Sequence, residues 1–266
     1  MRGQRGLYMA HVYYGDPTEE FSISQIKTLV DNGVDIIELG IPFSDPTSDG
    51  PVFQRACGRA LAAGMTPSGA IDGIAKVRRE GVDNPIVVTS YYNPILRMGV
   101  NEFMERISGA GADALIVPNV PYEEADDLLG AGKQHGIHII FLIAPTTPER
   151  RLEEILKRAS GFVYLVTITG VTGARDTLES STLELVERVR GHTDIPLLAG
   201  FGISEREQAR CVVAAGADGV ITGSVLGSIY EGALDNPGST LERLAAKAAE
   251  IKQGCIEGHE QRREAI

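Results

Sequence analysis

Asn32-Gly-Val-Asp-Ile-Ile-Glu-Leu39 is a helix-ending glycine, a short turn and an apolar run with one carboxylate inside it. Its first half recurs twice, as Ala110-Gly-Ala-Asp-Ala-Leu115 and Ala215-Gly-Ala-Asp-Gly-Val220. Glycine closes a helix in a left-handed turn, the acid falls in the turn, and the apolar residues enter a buried strand. A helix–turn–strand unit repeated along a chain builds parallel sheet, because parallel neighbours need a crossover connection. Working outward, apolar runs place strands at Met9–Tyr14, Val34–Leu39, Pro85–Tyr91, Ala112–Pro118, Ile137–Ala144, Phe162–Thr167, Ile195–Phe201 and Gly219–Thr222. Segments of helical period lie between them, at Thr18–Gly33, Pro67–Arg79, Asn101–Ala110, Tyr122–His135, Pro148–Leu156, Leu183–Val189, Glu205–Ala215 and Thr240–Lys252. Eight strands alternating with helices, with no shift of composition to mark a linker, predict an α/β fold: a single-domain (β/α)8 TIM barrel over residues 1–254. A doubly wound open sheet is the other arrangement such alternation allows. Residues 255–266 form a polar tail expected to be poorly ordered.

The bulk composition narrows the partners. A length of 266 residues with 43% hydrophobic content supports a sizeable core. The formal net charge of -11, with no basic cluster, argues against nucleic acid or an anionic membrane. Three cysteines, Cys57, Cys211 and Cys255, are too few and too widely spaced for a disulfide framework or a zinc site. The first residues carry charge but no apolar signal-peptide core, and no segment is long enough to cross a bilayer; the expected compartment is the cytoplasm.

Glu38 is the residue that breaks the pattern. A strand covered on both faces is normally apolar throughout, so a carboxylate among isoleucines signals chemistry or a buried ion pair. Asp49 follows in the loop Ile41-Pro-Phe-Ser-Asp-Pro-Thr-Ser-Asp-Gly-Pro51, which is punctuated so that it can fold back over the strand end. Barrel active sites lie at the C-terminal ends of strands, which is where both acids fall. Three glycine-rich turns, Gly170-Val-Thr-Gly173, Ala199-Gly-Phe-Gly-Ile-Ser204 and Thr222-Gly-Ser224, follow the last three strands. Backbone N–H groups in such turns, with a short extra helix over Val225–Tyr230, predict a phosphate site. Backbone donors would let an acidic protein bind an anion locally. Tyr91, Asn93, Tyr164, Phe201 and Ile221, at strand ends between the two regions, suit a planar apolar group.

These motifs resemble the tryptophan synthase alpha subunits over nearly the whole barrel: Gly15-Asp-Pro17, Glu38-Leu-Gly-Ile-Pro-Phe-Ser-Asp-Pro46, Asp49-Gly-Pro51, Tyr91-Tyr-Asn-Pro94, Ala144-Pro-Thr-Thr147, Gly170-Val-Thr-Gly173, Gly200-Phe-Gly-Ile-Ser204 and Gly223-Ser224. The resemblance implies a lyase that splits indole-3-glycerol phosphate by retro-aldol cleavage into indole and glyceraldehyde 3-phosphate. It implies no metal or organic cofactor in this chain. A beta subunit holding pyridoxal phosphate is the implied partner, in an α2β2 heterotetramer. It further implies catalytic roles for Glu38, Asp49 and Tyr164, a phosphate cradle of Gly173, Gly202, Gly223 and Ser224, and an indole pocket of Phe201, Ile221, Thr89 and Tyr91. The stretch from Gly170 to about Ser181 matches a loop that closes over substrate. The chain departs from the family pattern at Tyr13-Tyr14, Thr47-Ser48, Thr89, Asn119 and Thr167. Those departures leave two alternatives: a barrel lyase or isomerase on another phosphorylated substrate without a partner, or a non-catalytic barrel that regulates a beta subunit.

Overall fold

The computed structural model describes residues 6–166, 175–200 and 202–264. Among these, nine parallel strands form one sheet: β1 Leu7–Tyr13, β2 Ile36–Gly40, β3 Ile86–Thr89, β4 Ala114–Ile116, β5 His138–Ile140, β6 Leu142–Ile143, β7 Val163–Val166, β8 Leu197–Gly200 and β9 Gly219–Thr222. Their order is β5-β4-β3-β2-β1-β9-β8-β7-β6. The two end strands are consecutive in the chain, separated only by Phe141, whose carbonyl still accepts from the Tyr164 N–H at 3.1 Å. The two ends of the ladder therefore meet on one chain segment, and the sheet closes into a barrel. The single strand expected over Ile137–Ala144 is this interrupted pair. Around it pack α1 Glu19–Asp31, α2 Pro51–Ala62, α3 Pro67–Arg79, α4 Tyr92–Met98, α5 Val100–Ala110, α6 Asp126–His135, α7 Glu149–Arg158, α8 Arg175–Arg190, α9 Arg206–Ala214, α10 Ser224–Glu231 and α11 Leu241–Glu264.

The strands sort their side chains by parity. Tyr8, Ala10 and Val12 of β1, with Ile37 and Leu39 of β2, face outward into the layer shared with the helices. Leu7, Met9, Ile36, Val87, Ala114, Ile116, Phe162, Leu198 and Ile221 fill the barrel interior. Glu38 shares the inward parity of Ile36, two residues nearer the C-terminal end of the strand. The inward files of β1, β2 and β3 are apolar at the base and polar at the top, where His11, Glu38 and Thr89 meet the floor of a cavity.

The recurrent aspartate now has a structural explanation. Asp35 Oδ2 accepts from the Tyr8 N–H at 2.7 Å, Asp113 Oδ2 from the Ile86 N–H at 2.9 Å, and Asp218 Oδ2 from the Leu197 N–H at 2.9 Å. Each aspartate's own N–H returns a bond to the carbonyl of the same residue, at 2.9, 2.9 and 2.8 Å. A cation closes each clamp: Lys252 on Asp35 at 2.6 Å, Arg78 on Asp113 at 2.9 Å, and Arg190 on Asp218. At three strand entries, an acid from one strand thus pins the start of its neighbour and fixes their register.

The C-terminal region differs from the expectation. Helix α11 does not stop at Lys252 but continues to Glu264, with Gly254, Cys255 and Gly258 buried. A Cβ at Gly254 or Gly258 would overlap the carbonyl of Arg206 or Arg210 in α9, so the missing side chains let the two helices approach closely. Polar composition concealed that face, because small residues rather than large apolar ones make the contact. Helix α2 and the short α4 lie in stretches to which the sequence reading assigns no element. Helix α8 begins at Arg175, inside the stretch expected to be loop up to about Ser181; residues 170–174 of that stretch lie outside the described residues.

Replacing Asp35 by alanine strands the Tyr8 N–H and leaves Lys252 without its carboxylate. The expected cost is about 2 kcal/mol, within the range for an unsatisfied, partly buried donor. Urea unfolding of Asp35→Ala against the parent chain measures it; an unchanged midpoint would contradict the clamp.

Candidate active site

A cavity of ≈ 550 Å³ opens at the C-terminal ends of the strands. Glu38, Thr89 and His11 form part of its floor, and Asp49, Tyr164 and Ile221 also line it. Gly202, Gly223 and Ser224 complete the sequence-predicted residues in its wall. Gly173 and Phe201 lie outside the described residues. Tyr91 is placed differently from the expectation of a pocket wall. It is buried two residues beyond the end of β3, and its phenol donates to Asp49 Oδ2 at 2.6 Å while accepting from the Ser48 N–H at 2.9 Å. It supports the acid-bearing loop instead of lining the cavity.

Glu38 is 2% exposed. Burial pushes its carboxyl up to about 8, the Thr89 hydroxyl opposes that shift by donating to Oε1 at 2.6 Å, and the nearby Asp49 charge adds to it. His11 Nδ1 lies 3.3 Å from the same oxygen. Burial depresses the imidazole to about 3, so His11 is neutral and the contact is not an ion pair at neutral pH. Two polar atoms in this floor, Glu38 Oε2 and His11 Nε2, are buried without a hydrogen-bond partner.

Asp49 sits nearer the surface and is held from two sides. Tyr13 donates to Oδ2 at 2.8 Å alongside Tyr91. Burial raises the Asp49 carboxyl and the two phenols oppose the rise. Tyr13 and Thr89, two departures from the family pattern, thus each bond directly to one of the two carboxylates. Thr47 and Ser48 are exposed on the loop. Asn119 Oδ1 accepts from the Tyr92 N–H at 3.0 Å. Tyr164 is buried, which drives its phenol well above the ordinary value, with Glu38 and Asp49 adding to the effect.

The carboxylate loop runs directly into α2, which starts at Pro51. Phe53 of this helix packs against His11, the two rings tilted by 48° with centroids 4.4 Å apart. It also fills the space a Cβ at Gly223 would need, so the glycine before α10 permits that approach. Farther along α2, Arg59 makes a two-point pair with the fully buried Asp16, at 2.7 and 2.8 Å. Arg59 also reaches Glu231 of α10 at 2.9 Å, and Tyr230 donates to Asp16 at 2.5 Å. His11 and Phe53 are among the pocket residues that the sequence reading missed. Period two from Met9 would have placed His11 on the inward file, and Pro51 after Gly50 is a helix start that would have placed Phe53.

Among the described residues, no group of three or more His, Cys, Asp or Glu side chains is placed to hold a metal ion. None of their helices is long and apolar enough to cross a membrane.

A closed parallel barrel with two carboxylates in one cavity, and a glycine turn opening a short helix in its wall, has the design of an acid–base barrel enzyme. Residues 1–256 match the family model described as tryptophan synthase alpha chain. The chain is 49% identical to the tryptophan synthase alpha chain of Methanosarcina mazei over 256 residues, 96% of this chain and 91% of that one. It is 46% identical to that of Carboxydothermus hydrogenoformans, covering 94% of each. A crystal structure of tryptophan synthase from M. tuberculosis, in an open form with BRD0059 bound, superposes with a TM-score of 0.83 at 33% identity, covering 95% of this chain and 93% of that one. The alpha subunit from Legionella pneumophila str. Paris also gives 0.83, at 32% identity, covering 94% and 92%. The chain belongs to the tryptophan synthase alpha chain family.

The raised Glu38 makes a prediction with a definite sign. Between the ordinary 4.5 and about 8, the folded state keeps a proton that the unfolded chain has released, so stability falls as pH rises through that window. Glu38→Gln removes the titration. It should unfold near the parent midpoint at pH 4–5 and be more stable by a few kcal/mol, to order of magnitude, above pH 8. Urea melts at pH 5, 7 and 9 test this, and a gap that does not widen with pH counts against it.

Proposed function

We propose that this site cleaves indole-3-glycerol phosphate by a retro-aldol reaction, releasing indole and glyceraldehyde 3-phosphate. The observation that carries the proposal is one cavity lined by Glu38, Asp49 and the turn that opens α10. Cleavage needs a proton delivered to indole C3, an acceptor for the ring N–H, and removal of the side-chain hydroxyl proton as the C–C bond breaks. Glu38, with its carboxyl near 8, is available in both protonation states near neutrality and serves C3 and then the hydroxyl. Asp49, whose Oδ2 is engaged by two phenols, accepts from the indole N–H. Tyr164 borders the glycerol portion, and Thr89 and Ile221 border the ring.

The phosphate lies against Gly202, Gly223 and Ser224. There the free N–H groups and dipole of the eight-residue α10 favour an anion despite the chain's net charge of -11. General acid–base chemistry of this kind calls on no metal or organic cofactor in this chain. The indole passes to a beta subunit carrying pyridoxal phosphate, in an α2β2 assembly in the cytoplasm.

Incubating the purified chain with indole-3-glycerol phosphate, with and without a tryptophan synthase beta subunit, should yield indole. Glu38→Gln should lower the rate by ~10²-fold or more, the scale of a positioned acid–base group. Binding of glycerol 3-phosphate by calorimetry should be retained in that variant. Absence of indole from the parent chain in both conditions would overturn the assignment.

A further inference from the structure

We propose that His11 is a positioning residue for Glu38: with Thr89 it holds the carboxyl through Oε1, so that Oε2 is the oxygen that transfers the proton. The inference rests on Glu38 being the proton-transfer group of the reaction proposed above. The register pairs His11 of β1 directly with Glu38 of β2, and both lie on the inward parity. Thr89 of β3 approaches from the other side, so the neighbouring strands each supply one polar group to the same oxygen.

The tautomer follows from the geometry. The Thr89 hydroxyl donates to Oε1, which leaves that oxygen an acceptor. The His11 proton therefore belongs on Nδ1, facing it, and Nε2 carries the lone pair. The 3.3 Å separation is of the kind that catalytic contacts show before substrate tightens them. A carboxyl with one oxygen that accepts from Thr89 and faces His11 Nδ1 binds its exchangeable proton on the other, and Oε2 is the atom buried without a partner in the cavity floor.

The imidazole itself is not free to turn. Phe53 lies against it at 4.4 Å and Tyr13 at 5.0 Å between centroids, and it is 7% exposed. A phenylalanine would fill this space without leaving Nε2 unpaired, a burial that ordinarily costs about 1–3 kcal/mol. Such a cost is expected where function, not stability, decides the residue. The titratable and polar groups facing Glu38 are His11 from β1, Thr89 from β3, Asp49 from the loop before α2, and Tyr164 from β7. Of these, Thr89 donates to Oε1 and favours the carboxylate, and His11 faces the same oxygen at 3.3 Å.

The test is a titration of the Glu38 carboxyl by carbon-13 NMR, with the resonance assigned by its loss in Glu38→Gln. In His11→Phe the carboxylate loses a donor, so the midpoint should move upward by about half a unit or more. In His11→Asn, whose amide can still donate, most of that shift should be absent. Turnover of indole-3-glycerol phosphate by His11→Phe should fall about tenfold in kcat, with KM changed less than about threefold and the basic limb of the pH profile moved the same way. Thr89→Val removes the other anchor and should shift the midpoint in the same direction, which keeps the test open if His11→Phe does not fold. An unmoved midpoint in the folded variants overturns the role of His11. The titration needs no turnover: a shifted midpoint in a chain that releases no indole refutes the activity and leaves the positioning role standing.

Discussion

Everything at the cavity depends on strand register. A parallel strand has no turn to fix its pairing, and a slip of one residue exchanges its two faces. In β2 that slip would turn Glu38 into the helix-facing layer and bring Ile37 or Leu39 to the floor. The aspartate clamps at the strand entries oppose this from the far end of the barrel. Asp35 ties β2 to the start of β1 through a carboxylate, a backbone pair and Lys252, and Asp113 and Asp218 repeat the arrangement for β4 with β3 and β9 with β8. A charge-assisted bond at the base of a strand thus determines which side chains meet at its top.

The two carboxylates that meet there are kept different by depth. Glu38 is inside the barrel mouth, where desolvation outweighs the single Thr89 hydroxyl and holds the carboxyl near 8. Asp49 is on the covering loop, where two phenols counter the effect of burial. One group is therefore poised to give and take a proton near neutrality, while the other has donors that favour its charge. Environments that separate two like acids in this way divide the labour of acid–base catalysis between them.

The signals that were legible in the sequence were those carried by period and punctuation. The thrice-repeated Gly-X-Asp turn and the alternation of strands with helices led to the barrel, and one acid in an apolar strand led to Glu38. The interruption of the strand at Phe141 was not legible, because an apolar run looks the same whether or not its ladder is continuous. The length of α11 was hidden for the opposite reason: Gly254 and Gly258 contact α9 by having no side chain, so a polar composition concealed a buried face. Tyr91 lies at a strand end, as expected, yet its phenol turns to Asp49; sequence places a residue along the strand but not the direction of its hydroxyl. Tyr13 registered only as a departure from a pattern, and its bond to Asp49 gives that departure a physical content.

Helix α2, a stretch to which the sequence reading assigned no element, joins the two halves of the site. Asp49 lies just before its first turn, and Phe53 within that turn touches His11 on one side and the approach to Gly223 on the other. Arg59, two turns on, is anchored on the fully buried Asp16 and on Glu231 at the far end of α10. A buried carboxylate with a two-point guanidinium partner is not cheaply displaced, since breaking one side leaves an uncompensated charge. The acid-bearing loop and the helix proposed to hold phosphate are therefore fastened to one strut at both of its ends. Distance between the proton-transfer groups and the anion site is set by this helix as much as by the barrel, so a change at the loop before Asp49 bears on both ends of a bound substrate.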